Sequence, residues 1–542
     1  MNRYRLLFAA TSALVAAGCR ATAPVTPTPP VAPVAPAPPS PASLVQPPRI
    51  IPAPASMTIG SGAPFAVTKT TVIRVDNGNA EALQVAEALG ALLRPSTDYP
   101  VPASLVPVGA PDVAPGAGNA VHLALASDRA SLGDEGYELT VTAESVRLLA
   151  YRPAGLFRGV QTLRQLLPYR VESEIGIDRP AWYIPAVTIT DRPRFAWRGA
   201  MLDVARHFFT VKEVEQFIDI AALYKLNVVH LHLTDDQGWR IAIPSRPLLT
   251  SVGSLSQVGG GKGGFYTRED WAELVRYAQD RYITMVPEIE MPGHSYAGMS
   301  AYPAVACANR PAGAAYTGTD VGWSTFCVDS EPTYKLLDDI IRDLAAMTPG
   351  EYIHIGGDEV ATLAAPEYIK FIERVQGIVN AHGKKMIGWE EITKARLLPT
   401  TVAQQWKSDS ATAALQYGAK LIMSPSDKIY LDMKYNDSTE LGLNWAANIE
   451  VRASYDWDPA TYMKGVSESA ILGVEAPLWS ETLQNITGAE YLMMPRLPAA
   501  AEVGWTPQAN RNWEDFRLRL ASHAARWNQM GINWYRSPQV PW

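Results

Sequence analysis

Beyond Pro193 short apolar runs alternate with amphipathic stretches, and this alternation narrows the fold more than any other feature of the chain. Eight runs read as strands, at 200–204, 227–233, 283–288, 352–355, 385–389, 402–406, 420–423 and 471–475. Helical spacing of apolar residues predicts helices over 211–224, 268–280, 332–346, 366–381 and 494–501. Repeated β-α units of this number predict an α/β fold, a (β/α)8 TIM barrel preceded by a smaller α+β domain; an open doubly wound sheet is built from similar units. No glycine-rich phosphate fingerprint follows any of the strands, which argues against a nucleotide site.

The chain divides into four parts. Residues 1–18 have the form of an export signal, with Arg3 and Arg5, an apolar stretch, and Ala16-Ala17-Gly18 as the cleavage site. Cys19 follows directly, as in bacterial lipoprotein signals, and is the lipidation candidate; Ala16 stands where such signals usually carry Leu, so plain secretion stays open. Both routes predict an exported bacterial protein, in the periplasm or at the outer membrane or cell surface, touching membrane only through an N-terminal anchor. Residues 19–49 are an Ala/Pro-rich linker that cannot bury a core. Residues 50–188 read as the α+β domain, with strands near 70–75 and 137–141 and helices near 80–93 and 155–167, and residues 189–542 as the barrel. Cys307 and Cys327 belong to no Cys-x-x-Cys pair, and in an oxidising compartment they are the disulfide candidate.

A net charge of −7 offers no basic field for a phosphate backbone, so no nucleic-acid partner is expected. If the strands close into a barrel, their carboxyl ends meet at one mouth. The residues there are Asp203, Arg206, His207, His232, Asp235, Asp236, Glu288, Glu290, His294, Asp358, Glu359, Trp389, Glu390, Trp406, Tyr430, Asp432, Trp479 and Glu481. Carboxylates supply acid/base groups and hydroxyl acceptors, and indole faces suit the C–H faces of a sugar, so the expected guest is a carbohydrate. Gly356-Gly357 allows a sharp exit from a buried strand into Asp358-Glu359, where the chemistry is placed. The histidines have neither His-x-x-x-His spacing nor another ligand motif, so neither metal nor cofactor is expected.

Several ordered blocks then carry a resemblance: Trp197-Arg198-Gly199, Met201 through Phe208, Lys225-Leu226-Asn227, His230 through Arg240, Pro287 through His294, His354 through Val360, Gly388-Trp389-Glu390-Glu391 and Leu478 through Thr482. Together they resemble the family 20 glycoside hydrolases, the β-N-acetylhexosaminidases, from about Ile50 to the C-terminus. The resemblance implies exo-acting, retaining removal of terminal β-linked GlcNAc or GalNAc from small or oligosaccharide substrates, without a protein nucleophile. On this pattern Glu359 is acid and then base, Asp358 orients the substrate acetamide, Tyr430 donates to its carbonyl oxygen, and His294 with Asp235 supports Glu359. Trp389, Trp406 and Trp479 are the implied aromatic box, and Arg198, Asp432 and Glu481 the implied partners of the ring hydroxyls. Three alternatives stand beside it: a conventional retaining enzyme with Glu288 or Glu390 as nucleophile, a disaccharide-releasing lacto-N-biosidase type, and an inactive sugar-binding surface lipoprotein.

Overall fold

The computed structural model describes residues 48–76, 79–108, 119–177, 182–308 and 313–542. The expected leader, Cys19 and all but the last residues of the linker lie outside these.

Eight parallel strands close into a barrel: Trp197–Asp203, Val228–His232, Thr284–Glu288, Tyr352–His354, Lys385–Trp389, Val402–Gln405, Lys420–Met423 and Ile471–Leu478. Each expected strand is present. The first starts earlier and the eighth runs longer than expected, because they pair with each other from Trp197↔Gly473 to Leu202↔Leu478 and so shut the barrel. Helices Val211–Leu223, Arg268–Gln279, Glu331–Met347 and Ala365–Ala381 cover the outside, the first two opened by Thr210 and Thr267 capping boxes. After the fifth and sixth strands short 3₁₀ segments, Glu390–Lys394 and Asp409–Tyr417, stand where a longer helix would be. The expected helix at 494–501 is two, Ile486–Met493 and Arg496–Trp505.

Side chains alternate across each strand, and the inward set forms three layers. Trp197, Val228, Val286, Ile387, Val402 and Ile422 plug the base. Above them lies a polar layer of His230, Glu288, His354, Gln404 and Glu475, all buried. The mouth is aromatic, with Trp389, Trp406 and Tyr430 against Met201, Met433 and Ile449. Gly199 makes the middle layer possible, since a Cβ there would lie 2.3 Å from the Glu475 carboxylate.

Ahead of the barrel, a mixed seven-stranded sheet runs Ser56–Ile59, Val187–Asp191, Tyr137–Val141, Ser145–Ala150, Ala120–Leu125, Val72–Asp76 and Ala103–Val106 in spatial order. Helices Ala80–Thr97 and Pro153–Leu166 touch each other and pack on this sheet. Their polar residues bridge to the barrel: Gln84 donates to Asp280 (2.9 Å), and Arg158 to the Tyr282 carbonyl (2.7 Å).

Two buried charge pairs join the parts. Glu135 receives both Arg158 and Arg198, and Asp191 accepts from Lys225 (3.0 Å), Tyr137 (2.7 Å) and the Trp505 indole (2.9 Å). Burial pulls the Lys225 ammonium below its ordinary pKa and Asp191 opposes that pull, so the carboxylate is what keeps the lysine charged. Asp191→Asn leaves that cation without a counter-charge; breaking a buried pair in this way costs about 3–5 kcal/mol. Urea unfolding is expected to show a loss of that size while KM for any mouth ligand is unchanged, and an unaltered midpoint would refute the account.

Candidate active site

The fourth strand is short because its exit is sharp. Gly356 (φ +65°) and Gly357 (φ +95°) take left-handed backbone, and a Cβ on Gly356 would lie 1.8 Å from the Glu290 carboxylate, so glycine is required there. Glu290 in return accepts the Gly357 N–H (2.8 Å). The turn delivers Asp358 and Glu359 to different surroundings. Asp358 is 9 % exposed and its Oδ1 has no hydrogen-bond partner; burial and the neighbouring Glu359 charge push its carboxyl up to about 6 against the pull of His294. The Glu359 side chain is one-third open (32 %), and the His294 contact draws its pKa down. Glu359 (φ +50°) and His294 (φ +46°) both hold left-handed backbone without being glycine, a strain that local structure must sustain.

His294 approaches Glu359 through Nε2 at 3.6 Å, longer than a formed hydrogen bond, and reaches Asp235 through Nδ1 at 3.3 Å. Asp235 is held from its other oxygen by His232 Nε2 and Arg206 Nη2, each at 2.9 Å. Burial opposes charge on His294, but Asp235 outweighs it and raises the imidazole well above its usual pKa. The His294 loop is pinned from outside. Cys307 and Cys327 are disulfide-bonded, Phe326 N donates to the Pro292 carbonyl (2.9 Å), and Ser324 bonds Asp236.

The three tryptophans of the sequence reading line one wall: Trp389 lies 5.8 Å from Trp479, and Tyr430 lies 6.3 Å from Trp406, nearly parallel, and 6.4 Å from Trp479. Asp432 is buried with both carboxylate oxygens unpartnered; burial and then Glu481 raise its pKa well above normal, and burial raises that of Glu481. Paired acids of this kind are ready acceptors, and once protonated donors, for hydroxyl groups.

One expected site residue is elsewhere. Arg198 is fully buried near the barrel base, bonded to Glu135, the Phe195 and Lys225 carbonyls, and lying over Trp505. Five residues separate it from Asp203 at the strand's mouth end, which in an extended strand is about 17 Å and the opposite face. Arg206 is the arginine at the mouth. Asp203 fixes it by accepting the Ala205 and Arg206 amides (2.8 and 3.1 Å), and the Arg206 guanidinium lies 5.0 Å from the Trp479 ring centre.

Neither carboxylate weighed as a protein nucleophile is free. Glu288 is fully buried among His230, His232 and His354 and accepts the Trp389 indole N–H (2.9 Å). Glu390 accepts the amides of Trp406, Lys407 and Ser408 (3.1–3.2 Å) and the Ser408 hydroxyl (2.6 Å). Among the described residues, Asp235, Asp236 and His294 bring ligand-type atoms within 4.8 Å of one another, as do His230, Glu288 and His354. Most of those atoms already face one another or neighbouring donors, so the groups read as ion-pair clusters. Sequence reasoning missed Trp445, half-exposed and edge-on to both Trp406 and Tyr430 at 5.9 Å. It also missed Glu391, which accepts from the Trp406 indole (3.2 Å) and whose pKa burial and Asp358 raise to about 8. Trp445 lies in an aperiodic loop that gave no signal; Glu391 stood inside a quoted motif without a role.

Comparison with known proteins agrees with this arrangement. Residues 195–508 match the model described as glycosyl hydrolase family 20, catalytic domain, and residues 47–192 match family 20, domain 2. The chain is 44% identical over 497 residues to a β-N-acetylhexosaminidase of Cellulomonas fimi, covering 91% of this chain and 97% of the relative. Among solved structures, the family 20 β-N-acetylhexosaminidase of Streptomyces coelicolor superposes with a TM-score of 0.87 at 47% identity, over 92% of this chain and 99% of that one. A variant β-hexosaminidase of Streptomyces plicatus in complex with its product GlcNAc gives the same TM-score at 46% identity, over 92% and 98%. By sequence over both parts and by fold, the chain belongs to glycoside hydrolase family 20.

Proposed function

We propose that the protein is an exo-acting, retaining β-N-acetylhexosaminidase that removes terminal β-linked GlcNAc or GalNAc, with the substrate's own acetamide as nucleophile. The observation that carries this is the split environment of two adjacent carboxyls, Asp358 buried with an unpartnered oxygen and Glu359 one-third open against His294. Neighbours in the chain are poorly placed on opposite sides of one bond, as a pair of acid and protein nucleophile must be, and Glu288 and Glu390 are occupied.

In the proposed reaction Glu359 protonates the leaving oxygen while the acetamido carbonyl oxygen attacks the anomeric carbon; the C–O bond to the leaving group breaks and an oxazolinium ring forms. Asp358 accepts the acetamido N–H and offsets the positive charge, and Tyr430 donates to the carbonyl oxygen. Glu359 then takes a proton from water as that water opens the ring. Trp389, Trp406 and Trp479 confine the sugar, and Arg206, in place of Arg198, joins Asp432 and Glu481 in binding its hydroxyls.

The productive site holds one proton on the carboxyl pair. In the free enzyme that proton rests on Asp358 and leaves near pH 6. A bound acetamide N–H favours ionised Asp358, and the covering sugar desolvates Glu359 and raises its pKa, so the proton moves across. The expected outcome is that kcat/KM falls above about pH 6, while the alkaline limb of kcat lies higher. Coincident limbs in the two profiles would count against the exchange.

Two further measurements test the chemistry. Aryl β-glucosides, lacking the acetamide, are expected to turn over negligibly beside aryl β-N-acetylglucosaminides; comparable rates would remove the basis for a substrate nucleophile. Glu359→Gln is expected to lower kcat by about 10²–10⁴-fold on alkyl or sugar leaving groups and much less on activated aryl ones, whereas a uniform loss would deny it the acid role and no loss would fit a lectin.

The leader and linker composition supports export, with the enzyme tethered through Cys19 and acting on extracytoplasmic glycans. Cys19→Ser is expected to move activity from the membrane to the soluble fraction; activity already soluble in the wild type would leave secretion without an anchor, and membrane activity that the variant does not release would rule out Cys19 as the anchor.

A further inference from the structure

Inward of Glu359, His294 and Asp235 a buried line of alternating imidazoles and carboxylates continues toward the barrel base. From Glu359 it runs through His294 and Asp235 to His232 Nε2 (2.9 Å), from His232 Nδ1 to Glu288 Oε2 (2.6 Å), and from there to His230 Nε2 (3.1 Å, off the line of a straight hydrogen bond). His230 Nδ1 meets Glu475 Oε1 (2.8 Å), and Glu475 Oε2 accepts the Trp197 indole at the barrel base (2.8 Å). Every member from Asp235 inward is buried.

Carboxylates only accept, so an imidazole with a carboxylate on each nitrogen carries a hydrogen on both. His232 meets this condition through hydrogen bonds to Asp235 and Glu288; His230 has a hydrogen bond to Glu475 on one side and a charge contact with Glu288 on the other. We infer that Glu475, His230, Glu288 and His232 form a row of alternating charges whose task is to set the charge left on Asp235, and through it the proton affinity of His294 and Glu359. The four are positioning residues; no proton has to travel along them. This rests on the reading of Glu359 as the acid.

The surrounding groups fit the alternation. Although burial opposes it, Glu288 and Glu475 raise His230 to about 9, and Glu288 and Asp235 raise His232 to about 10. Asp203 faces His232; His354 Nδ1, 2.8 Å from the other oxygen of Glu288, accepts the Gly356 N–H (3.0 Å), and burial lowers its pKa, so it adds no cation to the row. His294 is faced by Asp235, Asp236, Glu290, Asp358 and Glu359, and the cations near Glu359 are His294, Arg206 and Lys407. With Arg206 and charged His232 both on Asp235, its pull on His294 is tempered, and Glu359 keeps its proton more readily.

Alternation makes a signed prediction. Glu288→Gln removes the anion on His232 Nδ1; His232 loses its proton, Asp235 is less compensated, His294 stays charged, and Glu359 gives up its proton earlier. Glu475→Gln acts one step further back: His230 loses its proton, Glu288 holds charged His232 more firmly, Asp235 is more compensated, and Glu359 keeps its proton longer. Glutamine preserves the acceptor that Trp389 uses on Glu288, and Gln404, whose Oε1 has no partner, can turn to meet an amide at 475.

The experiment is the pH profile of kcat on an aryl β-N-acetylglucosaminide for wild type and both variants, with circular dichroism and melting curves. The expected result is an alkaline limb moved down by about half a unit or more in Glu288→Gln and up by a smaller amount in Glu475→Gln. Limbs that stay in place, or limbs that move down in both variants as loss of a buried negative charge alone would dictate, overturn the relay. A wild type inert on this substrate would instead overturn the proposed function. Should Glu288→Gln not fold, ¹⁵N spectra of histidine-labelled wild type at pH 8 decide: doubly protonated His232 supports the row, and a singly protonated ring refutes it.

Discussion

A carboxylate in the middle of a barrel has no water to solvate it, and everything at the mouth of this one depends on how that problem is met for Glu288. Three histidines and an indole N–H surround it. The cost of burying the charge is offset only if its oxygens find donors, which fixes the rotamers of His232 and Trp389 together. His232 thereby presents Nε2 to Asp235, and Trp389 presents its face to the pocket. A layer that looks like structural filling thus orients both the acid/base support and the sugar wall.

Much of this was legible because it obeys short periods. The eight barrel strands are buried runs of apolar residues bounded by turn signals, and their carboxyl ends predicted nearly every group now found at the mouth. The error over Arg198 came from reading a motif as a block. Parity along the strand, with Trp197, Gly199, Met201 and Asp203 facing inward, turns Arg198 outward toward Glu135, while Arg206 lies past the strand end where loops can bend inward. What sequence did not carry was Trp445, since an aperiodic loop has no rule that says where its side chains go.

The catalytic turn shows the same interplay of local and distant demands. Two glycines turn the chain through left-handed backbone without strain, Glu359 two residues on holds the same region at a cost, and Glu290 meets the turn from the neighbouring strand end. His294 is strained as well, on a segment tied down through Pro292 and Ser324 to the disulfide-bonded stretch. Rigid supports on both sides hold the acid and its histidine 3.6 Å apart, close enough for a small closure to complete the contact.

The buried ion pairs under the barrel have an implication for how such an enzyme can be taken apart. Arg198 and Lys225 belong to the barrel, yet their counter-ions Glu135 and Asp191 belong to the sheet that precedes it. A barrel produced without that sheet would open to solvent a floor whose cations and apolar surroundings were made to be covered. The preceding segment is therefore a foundation poured with the building, and recombining barrels and sheets between relatives would succeed only where both halves of each pair travel together.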